Sequence, residues 1–116
     1  MSKDEVKFQD ENGLHPGDDR PTVIRMDGTK EWWVKGKLHR DGDLPAVYFS
    51  NGSKMWFSNG CMHREGDRPA IVWADGSEEW WLNGVRHREN DLPAVDRPHC
   101  KEWWLNGECY KEETTF

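Results

Sequence analysis

The feature that most constrains this chain is a motif that recurs every 24 residues. Residues 31–47 open with a glutamate and two tryptophans and close with a proline, an alanine and a valine. Related residues return in the same order at 55–71 and 79–95, and a shortened copy begins at residue 102. A fixed period of this length is the signature of a repeat architecture, so each motif has first to be understood as part of the repeat.

Few residues of the chain are apolar, but several of these are large. Hydrophobic residues make up 34% of the 116-residue chain and charged residues 33%, a balance that is typical of disorder when the apolar residues are scattered. Here eight tryptophans stand mostly in pairs at the repeat period, and each indole can bury a large area. The sequence therefore predicts one folded domain with a thin, aromatic core.

The charge of the chain disfavours some classes of partner. A net charge of −6 and a pI near 5.3 do not provide the cationic surface that nucleic-acid binding requires, and they disfavour an acidic membrane. No apolar run approaches the roughly 20 residues of a membrane span, and no leader opens the sequence. We therefore expect a soluble, cytoplasmic protein. Its three cysteines, Cys61, Cys100 and Cys109, are expected to be reduced thiols that fill small apolar spaces.

Two series of glycine turns predict the secondary structure. Asp-Gly and Asn-Gly between β-branched or aromatic runs are strong signals for two-residue type I′ hairpin turns, because both turn residues need positive φ. The first series lies at 27–28, 51–52 and 75–76, and the second lies at 35–36, 59–60, 83–84 and 106–107. No segment has the length and periodicity of a helix. The sequence therefore predicts an all-β chain of successive hairpins.

The repeat divides the single predicted domain, 1–116, into a degenerate capping copy at 1–20, regular copies at 21–96 and an irregular last copy with a C-terminal cap at 97–116. Phe8 and His15 precede Trp32 and His39 by one period, which identifies the capping copy. In the last copy an Arg-Pro-His-Cys segment replaces the expected glycine turn. Because proline cannot join a ladder, we expect the strand pairing to fray or bulge there.

Each aromatic pair places one ring on either face of its hairpin, because side chains alternate along a strand. With two-residue turns in the second series, the first aromatic row consists of the cross-strand pairs Trp32/His39, Trp56/His63, Trp80/His87 and Trp103/Tyr110. The second aromatic row consists of Trp33/Leu38, Phe57/Met62, Trp81/Arg86 and Trp104/Cys109. The same register opposes Glu31 to Arg40 and Glu79 to Arg88 as charge pairs.

The pattern Trp-Trp-x-Asn-Gly-x-x-His-Arg, followed by a proline loop, a short strand and Asp-Gly, resembles the MORN-like repeats. It is most similar to the variant found in uncharacterised bacterial and bacteriophage proteins and in antitoxin-type repeat proteins. The resemblance covers about residues 8–112, with Asp-Leu-Pro-Ala or Asp-Arg-Pro-Ala where the usual form is nearer Asp-Gly-Pro-Ala. It implies an elongated, twisted antiparallel sheet of about four 24-residue hairpin repeats that serves as a scaffold, a binding module or a neutralising partner.

The histidines that recur once per repeat suggest a metal site at first sight. Equivalent residues of successive two-strand units stand roughly 10 Å apart, whereas the ligands of one ion lie about 2 Å from it. The histidines therefore cannot share an ion, and the sequence predicts no metal. Each could instead pair with the aspartate four residues later and fix the loop. The predicted structural pairs are His15/Asp19, His39/Asp43, His63/Asp67 and His87/Asp91.

One of the two aromatic rows has to be covered by something other than the sheet itself. A single-layer sheet cannot bury large rings on both faces, so one row has to meet a loop layer, a second copy of the chain or a partner. We expect the first aromatic row to form the core and the second to face a partner, assisted by arginines that often dominate binding surfaces. The predicted partner-binding residues are Trp33, Phe57, Trp81, Trp104, Arg40, Arg64, Arg86 and Arg88.

The predicted function is a non-enzymatic protein-binding module without a cofactor, because the polar residues recur once per repeat whereas a catalytic site is one asymmetric cluster. The MORN-like resemblance implies that the partner is a bacterial enzyme, toxin or defence factor that the protein neutralises. Two alternatives stay open. One is a module that sequesters a nucleotide-like molecule in aromatic and arginine clefts between protomers. The other is a structural repeat that self-assembles through edge strands into dimers or longer arrays.

Overall fold

The computed structural model describes residues 5–7 and 20–115, and all regular secondary structure in this part of the chain is β-strand. The all-β prediction is thereby confirmed, whereas most of the predicted capping copy, including Phe8, His15 and Asp19, lies outside the described residues. The strands are β1 (Glu5–Lys7), β2 (Val23–Arg25), β3 (Lys30–Glu31), β4 (Trp33–Val34), β5 (Lys37–Leu38), β6 (Val47–Tyr48), β7 (Lys54–Met55), β8 (Phe57–Ser58), β9 (Cys61–Met62), β10 (Ile71–Val72), β11 (Glu78–Glu79), β12 (Trp81–Leu82), β13 (Val85–Arg86), β14 (Val95–Arg97), β15 (Cys100–Leu105) and β16 (Glu108–Thr114). The described part contains no helix that is long and apolar enough to cross a membrane.

Ten of the described strands form one antiparallel main sheet in the order β1-β2-β3-β6-β7-β10-β11-β14-β15-β16. The remaining strands pair as three small hairpins, β4-β5, β8-β9 and β12-β13. Each small hairpin is separated from the preceding main-sheet strand by a single residue, Trp32, Trp56 or Trp80. The chain therefore passes from the main sheet to a small hairpin at Trp32, Trp56 and Trp80, whereas Trp103 lies within the main-sheet strand β15.

The two series of glycine turns differ in geometry. In the second series both turn residues have positive φ, between 49° and 84°, as predicted for type I′ turns. In the first series only the glycine does, and the hydrogen bond from Trp73 N to Ser77 O encloses three residues. The predicted two-residue turns are wrong there, since each is a three-residue turn closed by a glycine bulge. The Asp75 carboxylate accepts the Ser77 N–H at 2.8 Å, which stabilises the longer loop.

Consecutive small hairpins are joined by backbone hydrogen bonds outside the ladders. The turn glycine of one hairpin donates its N–H to a carbonyl of the hairpin before it, as Gly60 does to Leu38 and Gly84 does to Met62, both at 2.9 Å. Gly107 donates in the same way to Arg86 at 3.0 Å. The hairpins therefore form a continuous stack beside the main sheet.

The core is thin and follows the first aromatic row. Trp32, Trp56, Trp80 and Trp103 are 5–8% exposed. The loop alanines Ala46, Ala70 and Ala94 are fully buried, and each carbonyl accepts the N–H of a core tryptophan, as Ala94 does from Trp80 at 2.7 Å. Alanine has little side chain at this position, so the proline loop can place its backbone against the sheet.

The Arg-Pro-His-Cys segment of the last copy does not interrupt the main sheet. Arg97 pairs with Cys100, and Pro98 and His99 form the turn between β14 and β15. Proline is tolerated because a turn residue needs no ladder hydrogen bond. The fraying or bulge predicted for this segment is therefore wrong.

The irregularity of the last copy is a bulge between Trp103 and Trp104. Because of the extra residue, Trp103 pairs with Lys111 and not, as predicted, with Tyr110. The Lys111 ammonium lies 4.4 Å from the centroid of the Trp103 ring. The Tyr110 hydroxyl donates to Asp91 at 3.1 Å.

Candidate functional site

Arginines cover the first aromatic row. The guanidinium carbon of Arg88 lies 3.7 Å from the Trp80 ring centroid, and Arg64 and Arg40 cover Trp56 and Trp32 in the same way at 3.9 and 3.7 Å. Arg88 also donates to the Pro93 carbonyl at 3.0 Å and to Asp67 of the preceding loop at 2.9 Å. Each of these arginines thus joins a core tryptophan to the proline loop that packs over it. Three of the predicted partner-binding arginines therefore lie on the first aromatic row and not beside the second.

The charge pairs that the sequence predicted for these arginines are wrong. Glu31 binds Arg25 at 2.6 Å instead of Arg40, and Glu79 binds Arg86 at 2.9 Å instead of Arg88. Adjacent residues of an extended segment face opposite sides. An arginine that covers a tryptophan of the first row therefore cannot also reach the glutamate before it.

The histidines connect neighbouring hairpins. Nδ1 of His63 accepts the Asn83 N–H at 2.9 Å, and Nδ1 of His39 accepts the Asn59 N–H at 3.0 Å. Because a backbone N–H can only donate, Nδ1 is the acceptor and the ring proton of the neutral imidazole lies on Nε2. Nε2 of His39 faces the carboxylate of Asp41, two residues later, at 2.8 Å. His87 repeats the arrangement with the Asn106 N–H at 2.9 Å.

The predicted clasps between each histidine and the aspartate four residues later are therefore wrong for the described pairs. Asp43, Asp67 and Asp91 accept hydrogen bonds from Arg64 and Arg68, from Arg88 and from Tyr110. The hydrogen bond from the Arg64 guanidinium is the main reason why the pKa of Asp43 lies below its usual range. These aspartates tie successive loops together, because each bonds a residue of the copy that follows.

The second aromatic row is half-buried, and its indoles are held by glutamates. Trp33, Phe57, Trp81 and Trp104 all keep intermediate exposure. Each tryptophan donates its indole N–H to the glutamate two residues earlier, Trp33 to Glu31 at 2.8 Å, Trp81 to Glu79 at 3.1 Å and Trp104 to Glu102 at 2.8 Å. Arg86 lies between two of these rings, 4.9 Å from the Trp81 centroid and 4.7 Å from that of Trp104. It is the one predicted partner-binding arginine found on this row.

Glu79 is the best-connected of these glutamates. Its carboxylate accepts the indole N–H of Trp73, the residue that follows β10, at 2.9 Å. It also accepts hydrogen bonds from Trp81 and Arg86 of the hairpin β12-β13. The residue is only 3% exposed. Burial by itself raises the pKa of Glu79, but the hydrogen bonds from Trp73, Trp81 and Arg86 outweigh it and hold the pKa below its ordinary value.

The lowered pKa of Glu79 predicts a loss of stability in acid. A carboxylate whose pKa is lower in the folded than in the unfolded state stabilises the fold above its unfolded pKa, and this contribution disappears as the pH falls through the folded pKa. Below the ordinary glutamate value of 4.5, we expect the wild type to lose stability more steeply than Glu79→Gln, which does not titrate. Urea unfolding at a series of pH values from neutral to acid measures the difference. Parallel curves for the two proteins would show that this carboxylate does not contribute.

One copy of the repeat replaces the Glu79 cluster as a whole. The residues 24 positions before Glu79, Trp73, Trp81 and Arg86 are Met55, Phe49, Phe57 and Met62. The acceptor and its three donors are thus exchanged together for apolar residues. A glutamate therefore occurs in the copy in which the neighbouring side chains have N–H groups that need an acceptor. The sequence analysis missed this cluster, although the joint exchange of all four residues is a signal that could have identified it.

Two clefts occupy equivalent places between successive loops. Arg64, Asp67, Trp80 and Arg88 line a cavity of about 320 Å³, and the residues one period earlier line one of about 340 Å³. The Arg64 and Arg88 guanidinium groups are bonded to Asp43 and Asp67. The arginine charges that the sequence analysis considered for an anionic ligand are therefore largely neutralised by carboxylates of the chain itself.

Within the described ranges no group of three or more His, Cys, Asp or Glu is arranged to hold a metal ion. The three cysteines are free, but Cys61 and Cys109 are exposed and do not fill apolar space as predicted. Comparisons with protein-family models, with curated proteins and with solved structures found no match to this chain. The resemblance to MORN-like repeats therefore stays a prediction.

Proposed function

We propose that this chain is a non-enzymatic protein-binding module built from about four 24-residue MORN-like hairpin repeats. The observation that supports it best is the second aromatic row, whose large rings are half-buried and whose indoles are fixed by carboxylates. A partner that covers such a row gains apolar burial with little further loss of side-chain freedom. The MORN-like resemblance supports a specific form of the proposal, in which the partner is a bacterial protein that is neutralised in the cytoplasm.

The arrangement of the arginines narrows the proposed contact surface. The side chains of Arg64 and Arg88 are only 16% and 14% exposed, because each lies between a core tryptophan and its loop. Their loss would disturb the core before it disturbed a partner. The proposed contact surface therefore consists of Trp33, Phe57, Trp81, Trp104 and Arg86.

The charges of the last strand disfavour self-assembly by pairing of two β16 strands. Among the described strands β16 pairs only with β15, and the hydrogen bond from Thr115 N to His99 O directs the N–H groups of Glu112 and Thr114 outward. If two β16 strands paired antiparallel, the outward N–H and C=O groups of one strand would have to face those of the other. The two-fold axis would then pass beside one residue, which would lie opposite its own copy. In registers centred near the outward groups of Glu112 and Thr114, that residue is Glu112 or Glu113. Each brings two like charges together, which is destabilising.

The proposal is tested by capture from bacterial lysate with the wild type, Phe57→Ala and Met26→Ala, read by mass spectrometry and followed by affinity measurement with the captured protein. Phe57 donates no side-chain hydrogen bond, so its removal leaves no acceptor unpaired. Met26 is 78% exposed and outside the row, which makes Met26→Ala a matched control. We expect Phe57→Ala to weaken binding roughly tenfold or more and Met26→Ala to leave it unchanged. Equal affinity for all three proteins would remove the second aromatic row from the contact surface.

A further inference from the structure

The face of the main sheet opposite to the second aromatic row carries two lysines, one on either side of an exposed tyrosine. Lys30, Tyr48 and Lys54 are direct cross-strand neighbours on β3, β6 and β7. The tyrosine is 40% exposed, and the Lys54 ammonium lies 5.5 Å from the centroid of its ring. Because neighbouring strands are about 4.8 Å apart, the two lysine backbones are roughly 10 Å apart with the ring between them.

An open cleft of about 490 Å³ lies against this ring. Leu44, which is 41% exposed, and Pro45 form an apolar wall, and both lysines border the cleft. Arg40 also borders it, but its guanidinium covers Trp32 and donates to the Pro45 carbonyl at 3.1 Å. Asp43 also borders the cleft, but its carboxylate is engaged by Arg64 and Arg68. The volume is within the range of small-ligand sites.

This cluster is an exception within the repeat. In the next two copies the positions of Lys30, Tyr48 and Lys54 hold Lys54, Val72 and Glu78, and then Glu78, Asp96 and Lys101. Residues that recur serve the fold, whereas a combination found in one copy is free to serve a ligand. Neither Lys30 nor Lys54 forms an ion pair within the described residues, whereas Lys101 binds Asp96 at 2.6 Å. In a chain of net charge −6, an unpaired pair of cations beside an aromatic ring points to an anionic ligand.

We propose that this cleft binds a nucleoside monophosphate, with its base stacked on Tyr48 against the Leu44 wall and its phosphate held by Lys30 and Lys54. A flat base suits an exposed aromatic ring, and stacking of this kind tolerates any base. Flexible lysine stems can bring two ammonium groups to one phosphate, where charge-assisted hydrogen bonds are strong. The net negative charge of the chain does not prevent this binding, because a single nucleotide makes few contacts outside the cleft. A nucleic-acid polymer would be repelled by the carboxylates on the rest of the surface.

The ligand test uses calorimetric titration of the wild type with AMP, adenosine and inorganic phosphate. We expect saturable binding of AMP, with adenosine and phosphate each roughly tenfold weaker or more, because each lacks one half of the ligand. Phosphate bound as tightly as AMP would overturn the role of the ring, and adenosine bound as tightly would overturn the role of the lysines. Absence of AMP binding would overturn the proposal as a whole.

The variants place the ligand in this cleft. Tyr48→Val and Lys54→Glu introduce the residues that the next copy carries at these positions, so both are expected to fold. Each should weaken the binding of AMP roughly tenfold, whereas Tyr48→Phe and the control Lys101→Gln should leave the affinity for AMP unchanged. An unchanged affinity in Lys54→Glu would place any AMP elsewhere. Phe57→Ala, on the opposite face, separates this inference from the proposed protein contact, because it should bind AMP like the wild type.

Discussion

Replacement of Trp80 by alanine is expected to lower the free energy of unfolding by about 3–5 kcal/mol. The ring is 7% exposed, it is covered by Arg88 at 3.7 Å, and its indole N–H donates to the Asp67 carbonyl at 3.1 Å. The variant therefore leaves a cavity, and it also removes the ring on which the Arg88 guanidinium packs and the N–H that bonds the Asp67 carbonyl. Urea unfolding followed by circular dichroism measures the loss.

The comparison variant is the conservative change Trp81→Phe, on the adjacent residue. Trp81 is half-buried, and phenylalanine occupies the equivalent position as Phe57. We expect this change to cost about 1 kcal/mol, mainly from the lost hydrogen bond to Glu79. Equal losses at the two positions would contradict the assignment of the first aromatic row as the core.

Replacement of Glu79 by methionine is the second change with a large expected effect, a loss of about 3–5 kcal/mol. Arg86 and the indoles of Trp73 and Trp81 would be left without their acceptor in a site where water has little access. Removal of one partner from a buried charge pair is far more destabilising than replacement of the whole pair by apolar groups. The same unfolding measurement, made at neutral pH, gives the loss.

The preceding copy of the repeat supplies the rescue experiment. A variant that adds Trp73→Phe, Trp81→Phe and Arg86→Met to Glu79→Met carries the four residues found at 49, 57, 62 and 55. We expect it to recover most of the lost stability, since no buried donor is then left unpaired, and the difference from the sum of single changes measures the coupling. A quadruple variant as unstable as Glu79→Met would show that the glutamate does not act through these donors.

The local part of the fold was open to prediction because its causes are local. The second-series turns need positive φ at two adjacent residues, which Asn-Gly provides in β8-β9 and β12-β13 and Lys35-Gly36 provides in β4-β5. The two turn residues and their two neighbours therefore set the register of each small hairpin. That register correctly opposed Trp33 to Leu38 and Trp81 to Arg86. The first-series turns escaped prediction because Asp-Gly also fits a three-residue loop, and the choice between the two depends on the strands that follow.

The candidate sites were less predictable because their partners come from different copies. Asp67 reaches Arg88, and Lys30 reaches Tyr48, across distances along the chain that no turn signal covers. The sequence showed that an arginine and two tryptophans recur together, but not which ring the arginine would cover. That depends on how the loop folds back over the sheet.

By itself, the sequence determined the 24-residue period, the all-β class, the type I′ hairpins and the opposite faces of adjacent aromatic residues, because each of these follows from backbone conformation and strand alternation. Only the tertiary structure decided that arginines cover the first aromatic row, that glutamates hold the indoles of the second and that Lys30 and Lys54 flank an open tyrosine. The physical reason is that these contacts join residues of neighbouring strands and loops. Their partners are selected by the packing of one copy on the next, and a single copy does not encode that packing.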